Sequence, residues 1–267
     1  MKKVALITGG SSGIGLACAL EFGHHGFAVA ISGRNEASLQ SALQQLKAEG
    51  VEAIAIQGDV GQEADCQRMV DLTVGAFGRL DVLINNAGIS MRALFVEAQL
   101  DVLKQVMNIN FWGTVYCTKF ALPHVLKSAG SIIGISSIAG HKGLPARTGY
   151  SASKFAMNGF LEAIRIELRK TKVHVLLVSP GFVATNIRKA ALVADGSAQA
   201  ETPRNENDML SAEYTAQEIY KAYTGRKRDL VLGRQGKLTI WLNKFFPAWL
   251  DGMVYKHLAA EKDSPLK

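Results

Sequence analysis

The sequence predicts an α/β fold, with helices covering both faces of a doubly wound parallel sheet. Three observations predict it. Short β-branched runs alternate with segments long enough for helices. The runs are apolar almost throughout, as in strands buried on both faces. The first run passes through a glycine-rich turn straight into a helical pattern, the start of a right-handed crossover. The 267 residues suit one domain, residues 1–267, large enough to bury a full core.

Six strands are expected at residues 4–7, 28–31, 53–56, 82–84, 132–135 and 173–178. Helices are expected at 14–25 and at 36–49, the second closed by Gly50 as a C-terminal cap. Longer helical patterns cover 102–126 and 151–169, and a shorter one 216–223. Residues 194–207, rich in Gly, Ser, Asp, Asn, Gln and Pro, read as a flexible surface insertion. They belong to a loop at about 182–212, placed to close over a substrate. Residues 234–267 form a helical C-terminal extension, a small cap, whose aromatic and apolar stretch at 237–258 is broken by Pro247.

Composition narrows the function. The net charge of +7 is spread along the chain, apart from Arg226-Lys227-Arg228, and no nucleic-acid motif accompanies it. Cys18, Cys66 and Cys117 lack metal-ligand spacing and read as buried free thiols. The apolar run after Met1-Lys2-Lys3 is too short for a signal peptide, so a cytoplasmic protein is expected.

The turn after the first strand reads Thr8-Gly9-Gly10-Ser11-Ser12-Gly13-Ile14-Gly15. Glycines there let the backbone approach a pyrophosphate, and the following helix offers free N–H groups to it. The second strand ends at Ile31-Ser32-Gly33-Arg34, without the acidic residue that would hold the ribose hydroxyls of NAD. Arg34 could instead pair with a 2′-phosphate, with Ser11 adding a hydroxyl; the plainer reading is a solvated arginine.

Tyr150 and Lys154 lie four residues apart, on one face of a predicted helix. Such a pair has a chemical use. A phenol ordinarily titrates near ~10, and a neighbouring ammonium lowers that value. Ser137 follows the strand at 132–135, where its hydroxyl could hold a substrate oxygen; Ser136 is the alternative, because alternation turns one of the two to the pocket. Asn110 interrupts a helical pattern that it does not favour.

Together, the glycine turn, Asp59-Val60, Asn85-Asn86-Ala87-Gly88, Asn110, Ile135-Ser136-Ser137, Tyr150-Ser151-Ala152-Ser153-Lys154 and Pro180-Gly181 resemble the short-chain dehydrogenase/reductase family, in its single-domain branch. The order and spacing match over roughly residues 3–190. The resemblance implies a Rossmann-type fold and interconversion of a carbonyl and a secondary alcohol with a nicotinamide cofactor, NADP(H) because of Arg34. It assigns Asn110, Ser137, Tyr150 and Lys154 to catalysis, selecting Ser137 over Ser136 and Asn110 over Asn108. Asn110 would hold a water that relays protons to Lys154.

For the cofactor it implies Gly9, Ser11, Ser12, Gly13, Ile14, Gly15, Arg34, Asp59, Val60, Asn86, Ala87, Gly88, Tyr150, Lys154, Pro180, Gly181, Val183 and Thr185. Asp59 and Val60 would flank the adenine, although Asp59 could also cap a helix starting near Glu63. Met91, Leu94, His141, Leu144 and Phe182 would line the substrate pocket, whose apolar character suggests a hydrophobic or lipid-like substrate. No metal is expected. The resemblance also implies a homodimer or homotetramer built on the helices at 102–126 and 151–169. The aromatic and basic C-terminal stretch could touch a membrane surface, but packing on the domain or a neighbouring subunit is the favoured reading. The rival functional class is a nucleotide-sensing or membrane-surface binding protein without turnover.

Overall fold

A computed structural model describes residues 1–199, 209–261 and 263–267. The predicted insertion at 194–207 therefore lies outside the described residues from residue 200 onward. Seven parallel strands form one sheet in the order β3-β2-β1-β4-β5-β6-β7. They are β1 (Val4–Thr8), β2 (Ala28–Gly33), β3 (Ala53–Gln57), β4 (Val82–Asn85), β5 (Ser131–Ile135), β6 (His174–Ser179) and β7 (Asp229–Val231). The chain builds outward from β1 to β3, then returns to place β4 against the other side of β1. That reversal opens a crevice beyond the carboxyl ends of β1 and β4.

Strand alternation divides the apolar residues into two layers. Ile7, Ile31, Ile84, Ile133 and Val178 face α1 (Gly13–His24), α2 (Glu36–Ala48) and α7 (Ala212–Thr224). Leu6, Ala30, Leu83, Ile132 and Leu177 face α3 (Glu63–Phe77), α5 (Gly113–Ser128) and α6 (Thr148–Glu167). The three cysteines are free and buried, as expected.

The six predicted strands are present, and β7 is an addition. It spans three residues directly after the basic cluster, too short to show a period, and is stabilised by pairing with β6. Arg165 ties it down, donating to the Arg228 carbonyl at 2.8 Å and to Asp229 at 3.2 Å. The helix expected over 102–126 runs from α4 (Leu100–Met107) through a π-turn (Asn108–Trp112) into α5. Pro247 stands at the first turn of α9 (Pro247–Ala259), separating it from α8 (Arg234–Phe245).

Asp81 anchors three central strands where they begin. Its main chain pairs with Val4 of β1 and Ser131 of β5, and its buried carboxylate accepts from the Val4 N–H at 2.8 Å. Arg79 donates to the same carboxylate through Nε at 2.8 Å and Nη2 at 2.5 Å. Asp81→Ala leaves the Val4 N–H unpaired and is expected to lower stability by about 2–4 kcal/mol. Urea unfolding checks this: the midpoint should fall with an unchanged slope.

Candidate active site

The glycine turn and the turn after β4 interlock at the crevice. Thr8 Oγ1 accepts from the N–H groups of Asn86 and Ala87, each at 3.0 Å. The Asn86 amide donates back to the carbonyls of Thr8 at 2.9 Å and Gly9 at 3.1 Å. This contact requires glycine: a Cβ on Gly15 would lie 2.2 Å from the Gly9 oxygen and 2.5 Å from Asn86 Nδ2. Gly9 itself has φ +64°, a conformation that other residues rarely adopt. The Asn86 side chain thus shapes the cradle, and its own amide is spent on that.

Ser12 precedes α1 with extended backbone, and its side chain makes no cap hydrogen bond. The first-turn N–H groups, including those of Gly13, Ile14 and Gly15, face the crevice end of the helix without intrahelical acceptors. The loop after β6 closes against this turn, since Thr185 Cγ2 would lie 3.1 Å from a Cβ on Gly13. Earlier in that loop Pro180 accepts from Ile138 N–H, Gly181 donates to the Leu232 carbonyl, and Val183 is buried. These groups fit a pyrophosphate-bearing cofactor.

Farther along the edge, Arg34 is exposed, and among the described residues no hydrogen bond or ion pair engages its guanidinium. Ser11 Oγ reaches the residue before it in the strand, 3.4 Å from where Gly33 would carry a Cβ. Arg34 shares a cleft with Gln57, Gly58, Asp59, Asp65 and Arg68. The Asp65 carboxylate there accepts from the Asp59 N–H at 2.8 Å and is held by Arg68 at 2.7 Å, and these contacts, the first most, lower its pKa. Asp59 does not cap α3, whose N-cap is Gln62; it turns back to accept from the Gly61 N–H at 2.9 Å. Val60 is buried against Gly113.

The polar cluster lies across the crevice. The Ser137 hydroxyl stands near enough to the Tyr150 phenol to act on its pKa. The Ser137 hydroxyl also accepts from the Ala139 N–H at 3.1 Å. Ser136 points the other way and donates to Asn158 Oδ1 at 2.5 Å, so alternation does turn Ser137 to the site. Lys154 is 3% exposed and donates to the Ile135 carbonyl at 2.9 Å. Its Nζ is 5.8 Å from the centre of the Tyr150 ring and 3.6 Å from the space a Gly88 Cβ would fill.

Burial sets the electrostatics of this pair. Burial pushes Lys154 down to about 8, because a desolvated ammonium has one carbonyl to satisfy it. Burial also dominates at Tyr150 and raises its pKa; the neighbouring Ser137 hydroxyl and the Arg147 guanidinium oppose the shift. The expected lowering by Lys154 is thus not the main effect on the phenol. The reason is geometric: the ammonium is turned to the Ile135 carbonyl instead of the phenol oxygen.

Asn110 is fully buried within the π-turn. Its Oδ1 accepts from the Ile89 N–H at 2.8 Å, while Nδ2 donates to the Ile89 carbonyl and Ser153 Oγ, each at 2.9 Å. The side chain therefore clamps the segment after Gly88 to α6, and any water relay would have to use its main chain.

Of the expected pocket residues, Met91 is buried in a cluster with Ala93, Val102 and Val106 that Tyr150 packs against. Leu94, Leu144 and Phe182 are partly buried. His141 instead supports the site from behind, with Nε2 2.8 Å from Ser179 Oγ and 3.4 Å from Asn158 Nδ2. Its pKa is lowered, mainly by burial. Asn158 escaped the sequence reading, although it continues the Tyr150, Lys154 spacing by four more residues. Arg147, also missed, contacts Glu261 at 3.5 Å.

Comparisons place this geometry among known proteins. The family model described as short chain dehydrogenase matches residues 3–195. An uncharacterized oxidoreductase, YxnA, of Bacillus subtilis (strain 168) is 34% identical over 259 residues, covering 95% of this chain and 72% of that protein. An 11-beta-hydroxysteroid dehydrogenase A of Arachis hypogaea is 38% identical over 216 residues, 80% of this chain and 60% of that protein. The chain thus spans less than two thirds of this second relative. A short chain dehydrogenase/reductase from Burkholderia phymatum, solved in complex with NAD, superposes with TM-score 0.83 at 25% identity, covering 91% and 93% of the two chains. An actinorhodin polyketide ketoreductase solved with NADPH gives TM-score 0.77 at 28% identity, covering 86% and 95%.

The buried ammonium leads to a stability prediction. A lysine whose pKa falls from 10.5 to about 8 destabilises the fold fully below pH 8, and the effect fades as pH rises towards 10.5. The shift corresponds to about 3 kcal/mol, which loss of the Ile135 hydrogen bond partly offsets. Lys154→Met is therefore expected to be more stable than wild type by about 1–3 kcal/mol at pH 7. Urea unfolding from pH 7 to pH 10.5 should show the two proteins converge.

Proposed function

The chain belongs to the short-chain dehydrogenase/reductase family, a family of nicotinamide-dependent oxidoreductases, and we propose that it interconverts a carbonyl and a secondary alcohol using Tyr150, Ser137, Lys154 and Asn110. The observation that carries this reading is the gathering of the Ser137 hydroxyl and the buried Lys154, its Nζ 5.8 Å from the Tyr150 ring, around a phenol whose pKa burial raises. In the reducing direction the bound cofactor supplies hydride to the carbonyl carbon. The chain must orient the substrate oxygen and give it a proton. Ser137 donates a hydrogen bond to that oxygen, and Tyr150 delivers the proton.

A raised phenol pKa suits this direction, because the acid arrives with its proton in place. Ser137 and Arg147 keep the rise from growing, so that the phenolate left after transfer is not prohibitive. Lys154 stabilises that phenolate from the cofactor side. Asn110 acts on Lys154 indirectly, by fixing the segment after Gly88 against α6.

The cofactor is NADP(H) in our reading. Its support is the exposed Arg34, whose guanidinium no described residue engages, at the end of a strand without a carboxylate and next to Gly33, which the Ser11 hydroxyl approaches. The two solved relatives were bound to NAD and NADPH respectively, so the choice rests on Arg34. Asp59 and Val60 would take the adenine, and Ala87, Gly88, Val183 and Thr185 the nicotinamide side. The substrate in our reading is hydrophobic, supported by the apolar setting of Met91, Leu94, Leu144 and Phe182 and by a relative named for a hydroxysteroid. We read the protein as cytoplasmic, and as a homodimer or homotetramer; in support, α5 and α6 leave Leu126, Phe155 and Ile166 exposed.

Two measurements test the reading. Tyr150→Phe should lower kcat by about 10²–10⁴-fold on any responsive ketone, with cofactor binding retained. Full activity in that variant would remove the proton-donor role. Arg34→Ala should weaken NADPH binding by about 10–100-fold, the value of a charged hydrogen bond to phosphate, and leave NADH binding nearly unchanged. Titration of cofactor fluorescence reads both affinities.

A further inference from the structure

The C-terminal extension does not bury most of its aromatic residues on its own domain. Leu250 and Leu258 do turn inward, and Gly236 lies against Ile138. But Leu238, Trp241, Phe245, Phe246, Trp249 and Met253 stay exposed, from 47% at Met253 to 62% at Phe245. On α8 the spacing of Leu238, Trp241 and Phe245 puts them on one side of the helix. So many large apolar side chains together on a surface mark an interaction site.

The outward charges on this hairpin are mainly positive. Arg234, Lys237, Lys244 and Lys256 are exposed, and on α8 they alternate with the apolar residues. Within α8 and α9 the acidic residue is Asp251, and its carboxylate is paired with Lys142. We propose that the α8–α9 hairpin is a docking surface for anionic lipid, lying in the plane of a bilayer interface. Its aromatic rings would sit at headgroup depth while the lysine and arginine stems reach up to the phosphates. None of the helices described is long and apolar enough to cross a membrane, which is consistent with a hairpin that lies on the surface.

A second copy of the chain suits the face less well. Interface cores are depleted in lysine, whereas here lysines are interspersed among the rings and would have to be desolvated with them. A lipid interface accepts both residue types side by side. The hairpin is also joined to the substrate side of the crevice. Lys142 donates to Asn243 at 2.9 Å, and Asn243 donates to the His141 carbonyl at 3.0 Å. Both contacts hold the loop that follows Ser137. The docked face would therefore bring lipid close to the pocket mouth. The docking itself does not depend on the reaction proposed above.

Vesicle binding tests the proposal on the full chain. Two of the three tryptophans, Trp241 and Trp249, are on the hairpin, so intrinsic fluorescence reports on it. Wild type should float with vesicles containing about 30% phosphatidylserine, at least about tenfold more than with pure phosphatidylcholine. Its emission should shift to the blue and be quenched by brominated lipid. The combined variant Trp241→Ser, Phe245→Ser, Trp249→Ser should lose flotation by at least about tenfold while still reducing a soluble ketone. Lys237→Glu with Lys244→Glu keeps the rings, so its native fluorescence checks folding, and it should lose the preference for phosphatidylserine. Tyr150→Phe should bind vesicles like wild type, which separates this test from that of catalysis. Equal flotation of wild type and the triple variant would overturn the proposal. So would a triple variant that falls to a smaller oligomer in sedimentation while wild type ignores vesicles, since the occupant would then be a second copy.

Discussion

The site depends on one close contact, the Asn86 amide lying flat against the glycine turn. It donates to the Thr8 and Gly9 carbonyls, and Thr8 Oγ1 answers by accepting from two N–H groups of the β4 turn. These bonds join the ends of β1 and β4, the neighbouring strands between which the sheet reverses direction. They are possible only because position 15 has no side chain. With the two turns fastened together, the amino end of α1 is aimed at the crevice and Gly88 is brought beside Lys154. A dinucleotide needs both at fixed separation, and a few short bonds maintain it.

Burial does two opposed things on the far side of the crevice. It keeps the Tyr150 phenol protonated, which suits a proton donor, and it strips Lys154 of most of its hydration. The result is a desolvated ammonium 5.8 Å from the centre of the phenol ring, beside the space next to Gly88. Such local instability is common where chemistry is done. Arg147 adds a second cation near the phenol, and Glu261 engages it from the end of the chain. The last residues of the extension thus bear on the electrostatics of Tyr150, although they are distant from it in sequence.

Much of this was legible in the sequence. The six long strands announced themselves by β-branched runs, and the glycine turn by its place between strand and helix. Tyr150, Lys154, Ser137 and Asn110 followed from spacing and resemblance. The omissions share a physical cause. β7 has three residues and is stabilised by its neighbour. Asp59 was read as a possible cap for α3, but its own tight turn satisfies it first. The direction of the Tyr150 shift depends on where the Lys154 ammonium points, and that is set by a main-chain carbonyl nineteen residues earlier. The exposure of Trp241 and Trp249 depends on tertiary packing, which an apolar helical stretch does not disclose.

The π-turn at Asn108–Trp112 acts as a phase shift. One extra residue in a helical turn rotates everything after it by about 100° relative to everything before it. α4 can therefore present its apolar side to α6 while α5, on the same continuous rod, presents its own to α3. Asn110 stands at the step between the two phases, where its side chain faces Ile89 and, on α6, Ser153. Removing the extra residue would restore a regular helix and put one of the two faces out of register. The local irregularity is what lets both halves of this helix meet their partners.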